Sequence, residues 1–354
     1  MAPLDLVRLT PLIDRTSGRP EVTIGLIDGP VVMNHPELAN QHIREIPGNG
    51  SGACTQANST ACLHGTFVAG ILSAKRGSVA PAICPNCTLL VRPIFAETKA
   101  ANGEMPSATP EELAQAILDC IEAGAQVLNV SAALAQPSIK NERAIEEALE
   151  HAAKRGLIVI AAAGNQGTLG STAITRHSWV IPVVAFDLQG RPMNHSNLGS
   201  SIGRRGLGAP GDRITSIGAH GKPLTLGGTS AAAPFVTGAI ALLWSEFPTA
   251  TAAEIKLAAT QAYTPRRTTV VPFVRRLGSV SNHEEVKPIP EEKTKSEPQP
   301  YRARLPGFVS EEDIGLGDAI KRVTSTFGIR PCGGCERRAA VLNRWFAFTG
   351  RRAR

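Results

Sequence analysis

The chain has 354 residues, 42% of them hydrophobic but only 4% aromatic, and a formal net charge of +7. That length holds one large α/β domain and a smaller appendage, with a core to be built from Ala, Val, Ile and Leu. The positive excess gathers in Arg337, Arg338, Arg344, Arg351, Arg352 and Arg354, which reads as a solvated tail and not as a nucleic-acid surface. No apolar run reaches the roughly 20 residues that a bilayer requires. The first residues, Met1-Ala2-Pro3-Leu4-Asp5, lack the charged start and apolar core of a secretory signal. Seven cysteines, an odd number, suit a reducing compartment in which they need not pair. The expectations are therefore no membrane, no nucleic acid and a cytoplasmic location.

Residues 21–27 are short, apolar and β-branched, as a buried parallel strand should be. They end at Asp28-Gly29-Pro30, a turn signal. A carboxylate at the carboxyl end of a strand is either a turn cap or a functional group of an open α/β sheet. A polar loop over 40–62 leads to an apolar helix over 63–74, with His64 at its front and Gly65 and Gly70 inside it. Glycine costs a helix about 1 kcal/mol against alanine, so these two mark close backbone contacts.

Residues 87–95 and 126–130 read as further buried strands. The periodicity of Leu113, Ala116, Ile117 and Ile121 predicts a helix over 109–123. A second helix over 141–155 opens on acids and closes on Lys154-Arg155-Gly156, which suits its dipole and a glycine cap. Strands over 157–163 and 179–186 follow. Between them stands Gly164-Asn165, where asparagine either tolerates a turn or supplies an uncharged N–H donor. Strands alternating with helices imply a mostly parallel sheet covered on both faces.

Gly227-Gly228-Thr229-Ser230-Ala231-Ala232-Ala233-Pro234 then runs from a glycine turn into an apolar helix. Proline is tolerated in the first helical turn, so Pro234 puts the helix start near Ser230. There a serine is either an N-cap or a hydroxyl whose own N–H faces a developing oxyanion.

Acyl transfer by serine needs a hydroxyl, an imidazole to take its proton, a carboxylate to hold the imidazole's tautomer, and donors for the oxyanion. Ser230, His64, Asp28 and Asn165 supply those types, each at a strand end or helix start. In the segments Ile24-Gly25-Leu26-Ile27-Asp28-Gly29, His35-Pro36-Glu37-Leu38, His64-Gly65-Thr66-Phe67-Val68-Ala69-Gly70, Ala162-Ala163-Gly164-Asn165, Ser196-Asn197-Leu198-Gly199, Ala209-Pro210-Gly211 and Gly228-Thr229-Ser230-Ala231, the chain resembles a subtilisin-type serine peptidase. The resemblance spans 20 to about 247. The order Asp, His, Ser is that of the subtilisins; subtilisin is itself one of the standard cases from which the triad logic was generalised.

The resemblance implies a three-layer α/β fold with a mostly parallel sheet. It implies a triad of Asp28, His64 and Ser230, an oxyanion hole of Asn165 and the Ser230 N–H, and substrate contacts at Ser131, Ala132, Ala133, Ala163 and Gly164. It departs from the family in three places. Gly29 and Pro30 follow Asp28 where a hydroxyl residue and glycine are usual. Phe67 replaces a second histidine. At Asn129-Val130-Ser131-Ala132-Ala133 the family has a glycine pair after Ser-Leu, and the alanines here narrow the edge that pairs with substrate. The character is nearest to the intracellular proteases of cyanobactin-like peptide maturation, which implies a peptide or protein substrate, with a ribosomal precursor peptide as the finer reading. A peptide-binding scaffold without turnover and a transpeptidase or macrocyclase are the alternatives. No cofactor is expected; calcium is common in the family, but no acidic loop stands out as its site.

Cys84-Pro85-Asn86-Cys87 has the gap of a zinc half-site, with Cys54 and Cys62 in the same region. A four-cysteine site competes there with free or paired thiols. Cys120 reads as a buried helix residue. The domains expected are 1–262 for the peptidase, 263–307 for a linker rich in Glu, Lys, Pro and Ser, and 308–354 for a small helical appendage containing Cys332 and Cys335, with a helix over 317–327 and another opening after Pro331.

Overall fold

The computed structural model describes residues 2–46, 48, 54–97, 106–132 and 142–260, and the backbone of 301–303, 314–315 and 346–348. The chain divides into two compact units, Met1–His283 and Glu284–Arg354.

The first unit opens with two short helices, α1 (Pro3–Leu6) and α2 (Thr10–Arg15). Its frame is a sheet of seven parallel strands: β1 (Thr23–Asp28), β2 (Ile43–Glu45), β3 (Thr88–Pro93), β4 (Val127–Val130), β5 (Ile158–Ala162), β6 (Val180–Phe186) and β7 (Leu207–Pro210), in the spatial order β2-β3-β1-β4-β5-β6-β7. Every residue of β4, β5, β6 and β7 is buried, which is why these strands read as apolar runs without alternation. From β1 the chain crosses to the edge strand β2, returns to β3 beside β1, and from β4 builds outward on the other side. Open α/β sheets bind ligands outside the carboxyl ends of the strands at such a switch point.

Helices α3 (Thr60–Ser73) and α8 (Thr229–Glu246) cover one face, with Ile24, Leu26, Val127, Ile158 and Ile160 turned towards them. Helices α4 (Pro110–Glu122) and α5 (Glu142–Arg155) cover the other, over Ile27, Leu128, Val130 and Val159. Short helices α6 (Ala173–Arg176) and α7 (Ser200–Arg205), an antiparallel ribbon of β8 (Ile214–Ile217) and β9 (Pro223–Leu226), and α9 (Ala252–Thr260) complete the unit. The three layers implied by the resemblance are present. Among the described residues no helix is long and apolar enough to cross a membrane.

Helix α8 is buried from Ala231 to Ser245. It begins at Thr229, so Pro234 lies beyond the first turn, which corrects its expected place. Proline has no N–H, and the Ser230 carbonyl therefore loses its usual i+4 partner.

The N-terminal helices dock through Leu6, Leu9 and Leu12. Arg76 ties them down: its guanidinium donates to the carbonyls of Ile13, Thr16 and Ile83 at 3.3, 3.2 and 2.9 Å.

In the second unit, β10 (Tyr301–Ala303), β11 (Ile314–Gly315) and β12 (Phe346–Phe348) form a three-stranded sheet with β12 in the middle. Strand β12 thus falls where a helical appendage is expected, and its two aromatic residues favour a strand. The helices expected over 317–327 and after Pro331, Cys332, Cys335 and most of the linker lie outside the described residues.

Candidate active site

Asp28 is the last residue of β1. Strand alternation turns it to the same face as Ile24 and Leu26, towards α3. It is fully buried, and its Oδ1 accepts from the Gly29 N–H at 2.6 Å and meets His64 Nδ1 at 2.7 Å. On the far side of the ring, His64 Nε2 lies 3.0 Å from Ser230 Oγ. A carboxylate facing Nδ1 requires the proton on that nitrogen, which leaves the Nε2 lone pair to accept from the serine. Burial pulls the His64 pKa down, but the charge of Asp28 and its hydrogen bond outweigh this, so the pKa is raised above its ordinary value.

Close packing sets this geometry. Ser59 caps α3 by accepting from the Cys62 N–H at 3.2 Å. The first turn of α3 then lies against the turn after Asp28. A Cβ on Gly29 would overlap the Ala61 carbonyl, and one on Gly65 would overlap the carbonyls of Gly29 and Pro30. The hydroxyl residue usual after the family's aspartate therefore has no room here, and the helix bearing His64 sits at backbone distance from the acid. Gly70 similarly leaves no space for a side chain beside Ser216 and Ile217, as expected for glycines that mark close contacts.

Ser230 is the second residue of α8, after Gly228 at φ 112°, a conformation that favours glycine. Its N–H belongs to the first helical turn and has no intrahelical acceptor. Asn165 stands opposite, in the turn after β5. Its Oδ1 accepts from both the N–H and the hydroxyl of Thr229, at 2.9 and 3.0 Å. With the oxygen so held, the amide N–H₂ is the end left for the cleft. Thr229 Oγ1 also accepts from the Gly164 N–H at 3.2 Å. Thr229 is thus the clasp between the two loops, a role that the Gly-Thr-Ser motif contained but that spacing alone did not disclose. Asn197 does similar work beyond it: its Oδ1 accepts from the N–H groups of Gln166 and Thr168.

A cleft of about 350 Å³ opens over these groups. His64, Ser131, Ala132, Gly164, Asn165 and Ser230 line it, and Ile94, Phe95, Ala108 and Leu113 form an apolar wall. Among the described residues its lining carries no Asp, Glu, Lys or Arg. Of the expected substrate contacts, Ser131, Ala132 and Gly164 are in place, and Ala133 lies outside the described residues. The Ala163 side chain does not line the cleft. Its methyl is buried with Val184, Phe186 and Ile202, and Ala162 lines the cleft instead.

The cysteines follow the reading of free or paired thiols, and Cys120 is buried in its helix as expected. Cys54 and Cys62 form a disulfide, with Cα atoms 5.7 Å apart, just ahead of His64. Cys84, Cys87 and Cys120 are buried free thiols. Among the described residues the only trio spaced to hold a metal is Cys54, Cys62 and Glu97, so the four-cysteine zinc reading does not stand. Glu97 already accepts hydrogen bonds from Thr55 and Gln56. The hydrogen bond between the two thiols, with burial, pushes Cys84 well up; burial pushes Cys120 up to about 12.

Comparison with known proteins agrees with this architecture. Subtilisin DY of Bacillus licheniformis is 28% identical over 241 residues, 66% of this chain and 81% of its own length. The chain spans about half the length of some other curated relatives, 54% for a thermophilic serine proteinase of Bacillus sp. (strain AK1), to which it is 31% identical. Among solved structures, the protease domain of PatA superposes with a TM-score of 0.68 at 27% identity, covering 74% of this chain and 96% of that one. The prenylagaramide maturation protease PagA gives 0.65 at 26% identity, covering 77% and 98%. Residues 19–278, which contain Asp28, His64, Asn165 and Ser230, match the subtilase family of peptidases, and the chain belongs to that family.

Proposed function

We propose that this chain is a serine endopeptidase that hydrolyses peptide bonds through Ser230, His64 and Asp28, acting on a ribosomally made precursor peptide. The observation that carries the chemistry is the single imidazole that bridges carboxylate and hydroxyl, at 2.7 and 3.0 Å. In the reaction Ser230 Oγ attacks the scissile carbonyl carbon and its proton passes to His64 Nε2. The carbonyl oxygen becomes an oxyanion between the Ser230 N–H and the Asn165 amide. The C–N bond breaks, the amine leaves with the proton from Nε2, and a water molecule releases the acyl group by the same steps in reverse. Asp28 holds the Nδ1 proton throughout and offsets the charge of the imidazolium.

The precursor-peptide reading rests on the likeness to PatA and PagA, each described as a maturation protease. A cleft whose described lining is uncharged suits neutral residues around the cut bond. No metal has a part in the proposed steps. A cytoplasmic location belongs to the same reading; the free thiols Cys84, Cys87 and Cys120 favour it and the Cys54–Cys62 disulfide weighs against it.

The test is active-site labelling with a fluorophosphonate. Wild-type protein should label at Ser230, and Ser230→Ala should not label and should lose about 10⁶-fold in turnover. Equal labelling of the two would overturn the assignment. Mass spectrometry of products from a peptide library then reads the cleavage preference, and a library left uncut by labelled-competent protein would overturn the endopeptidase reading in favour of a binding scaffold.

A further inference from the structure

Asn129 is a polar residue in an apolar place. It belongs to β4, is fully buried, and alternates with Val127 onto the sheet face shared by Ile24, Leu26 and Ile160. A leucine would suit that face, and an amide buried without partners costs about 2–7 kcal/mol. Its partners are specific. Thr237 Oγ1 donates to Asn129 Oδ1 at 2.8 Å, and Asn129 Nδ2 donates to Ser131 Oγ at 2.8 Å. Thr237 is itself fully buried in α8, seven residues after Ser230 and so two turns along the same helix face. Ser131 is 8% exposed and lines the cleft beside His64 and Ser230.

The three side chains make a directed relay. The Asn129 oxygen faces Thr237 Oγ1 in the shorter of that hydroxyl's two acceptor contacts (the Ala233 carbonyl is at 3.2 Å), and the N–H₂ faces Ser131. The N–H₂ occupies a lone pair of Ser131, so the Ser131 hydroxyl proton must point elsewhere. Among the described residues no acceptor receives it, and the cleft lies in front of it. The nucleophile helix and the edge where substrate lies are thereby joined through the sheet by hydrogen bonds, independently of the triad.

We propose that Asn129 is a positioning residue that makes Ser131 a hydrogen-bond donor to the bound peptide, with Thr237 setting the orientation of the Asn129 amide. The proposal rests on the endopeptidase reading and adds to it a donor outside the triad and the oxyanion hole. The bland alternative is that the network merely specifies the core.

A double-mutant cycle separates the two. The probe is a chromogenic peptide p-nitroanilide that the wild-type protein cleaves, with the rate of Ser230 phosphonylation by a fluorophosphonate measured alongside. Ser131→Ala should lower kcat/KM about tenfold, the worth of one hydrogen bond to the reacting complex. Asn129→Leu should lower it equally, and the double variant should be no worse than either single. Phosphonylation, which uses the nucleophile and the oxyanion hole but no peptide backbone, should stay within about twofold of wild type. If Asn129→Leu does not fold, Thr237→Val takes its place, with a loss in the wild-type background and none in the Ser131→Ala background. Additive losses, a Ser131→Ala protein as active as wild type, or phosphonylation falling in step with kcat/KM would each overturn the proposal. Failure of wild-type protein to cleave or label belongs to the endopeptidase reading and is seen before any variant is made.

Discussion

Gly29→Ser restores the hydroxyl that the wider family carries after its aspartate, and here it should damage the enzyme. The added Cβ would overlap the Ala61 carbonyl oxygen and stand 3.0 Å from the Ala61 Cα. Both atoms are backbone of the first turn of α3, so neither can rotate away. An ordinary contact would require that turn to withdraw by roughly 1 Å, and overpacking of this kind costs about 1–3 kcal/mol. His64 is three residues further along the same helix. Its bonds of 2.7 Å to Asp28 and 3.0 Å to Ser230 would stretch beyond hydrogen-bond reach if it followed. A misplacement of this size costs about 100-fold in rate. Steady-state cleavage of a peptide, with the phosphonylation rate of Ser230 and the thermal midpoint, provides the assay. Both rates should fall about 100-fold in Gly29→Ser. A variant with wild-type stability and both rates within about twofold would refute the claim that close packing at Gly29 sets the position of the base.

Further outcomes are expected. The base must be neutral to accept a proton, so the acid limb of kcat/KM should have its midpoint above the ordinary histidine value of 6.5, because Asp28 raises the His64 pKa; the pH profile reads this directly. The same shift means that folding favours the protonated ring, so its contribution to stability is complete below pH 6.5 and fades as pH rises through the folded value. Cys54→Ser opens a loop of sequence separation 8, and chain entropy puts the loss at about 2.5 kcal/mol, to be read by urea unfolding with and without reductant. Arg76→Met removes three hydrogen bonds from a cation to carbonyls and should cost about 2–4 kcal/mol.

Much of the site was legible because its residues mark their own local structure. Asp28 ends an apolar strand, Asn165 follows another, and Ser230 opens a helix; each position has a signature within a few residues. The pairing of His64 with partners 36 and 166 residues away was reached from the chemistry that three such residue types share and from a resemblance. What escaped depends on tertiary neighbours. Nothing near Thr229 says that its hydroxyl will hold Asn165. Asn129 looks like an interruption of a strand until Thr237 is seen beneath it. The disulfide could not be read from spacing, since pairing depends on how the loop before α3 folds back. Pro234 misled because the rule for proline in the first turn locates a probable start, and α8 starts one residue earlier and accepts the proline in its second turn.

The low aromatic content and the geometry of the site have a common cause. For a base on one helix and a nucleophile on another to meet above a sheet, each helix must be held closely against its neighbours. Gly29 and Gly65 allow this for α3 at the acid, and Gly70 for the same helix against β8. In α8 the run Ala231-Ala232-Ala233 is fully buried, and a Cβ at Gly238 would overlap Ile83. Each contact excludes a large side chain on at least one partner. The core is built instead mainly of aliphatic side chains, Ile, Leu, Val and Ala, in two clusters, one on each face of the sheet. A core of that kind tolerates added volume poorly where backbones touch. Substitutions that enlarge these contacts should therefore displace the reacting groups before they unfold the chain, whereas truncations on the α4 and α5 face should lower stability and leave the triad in register.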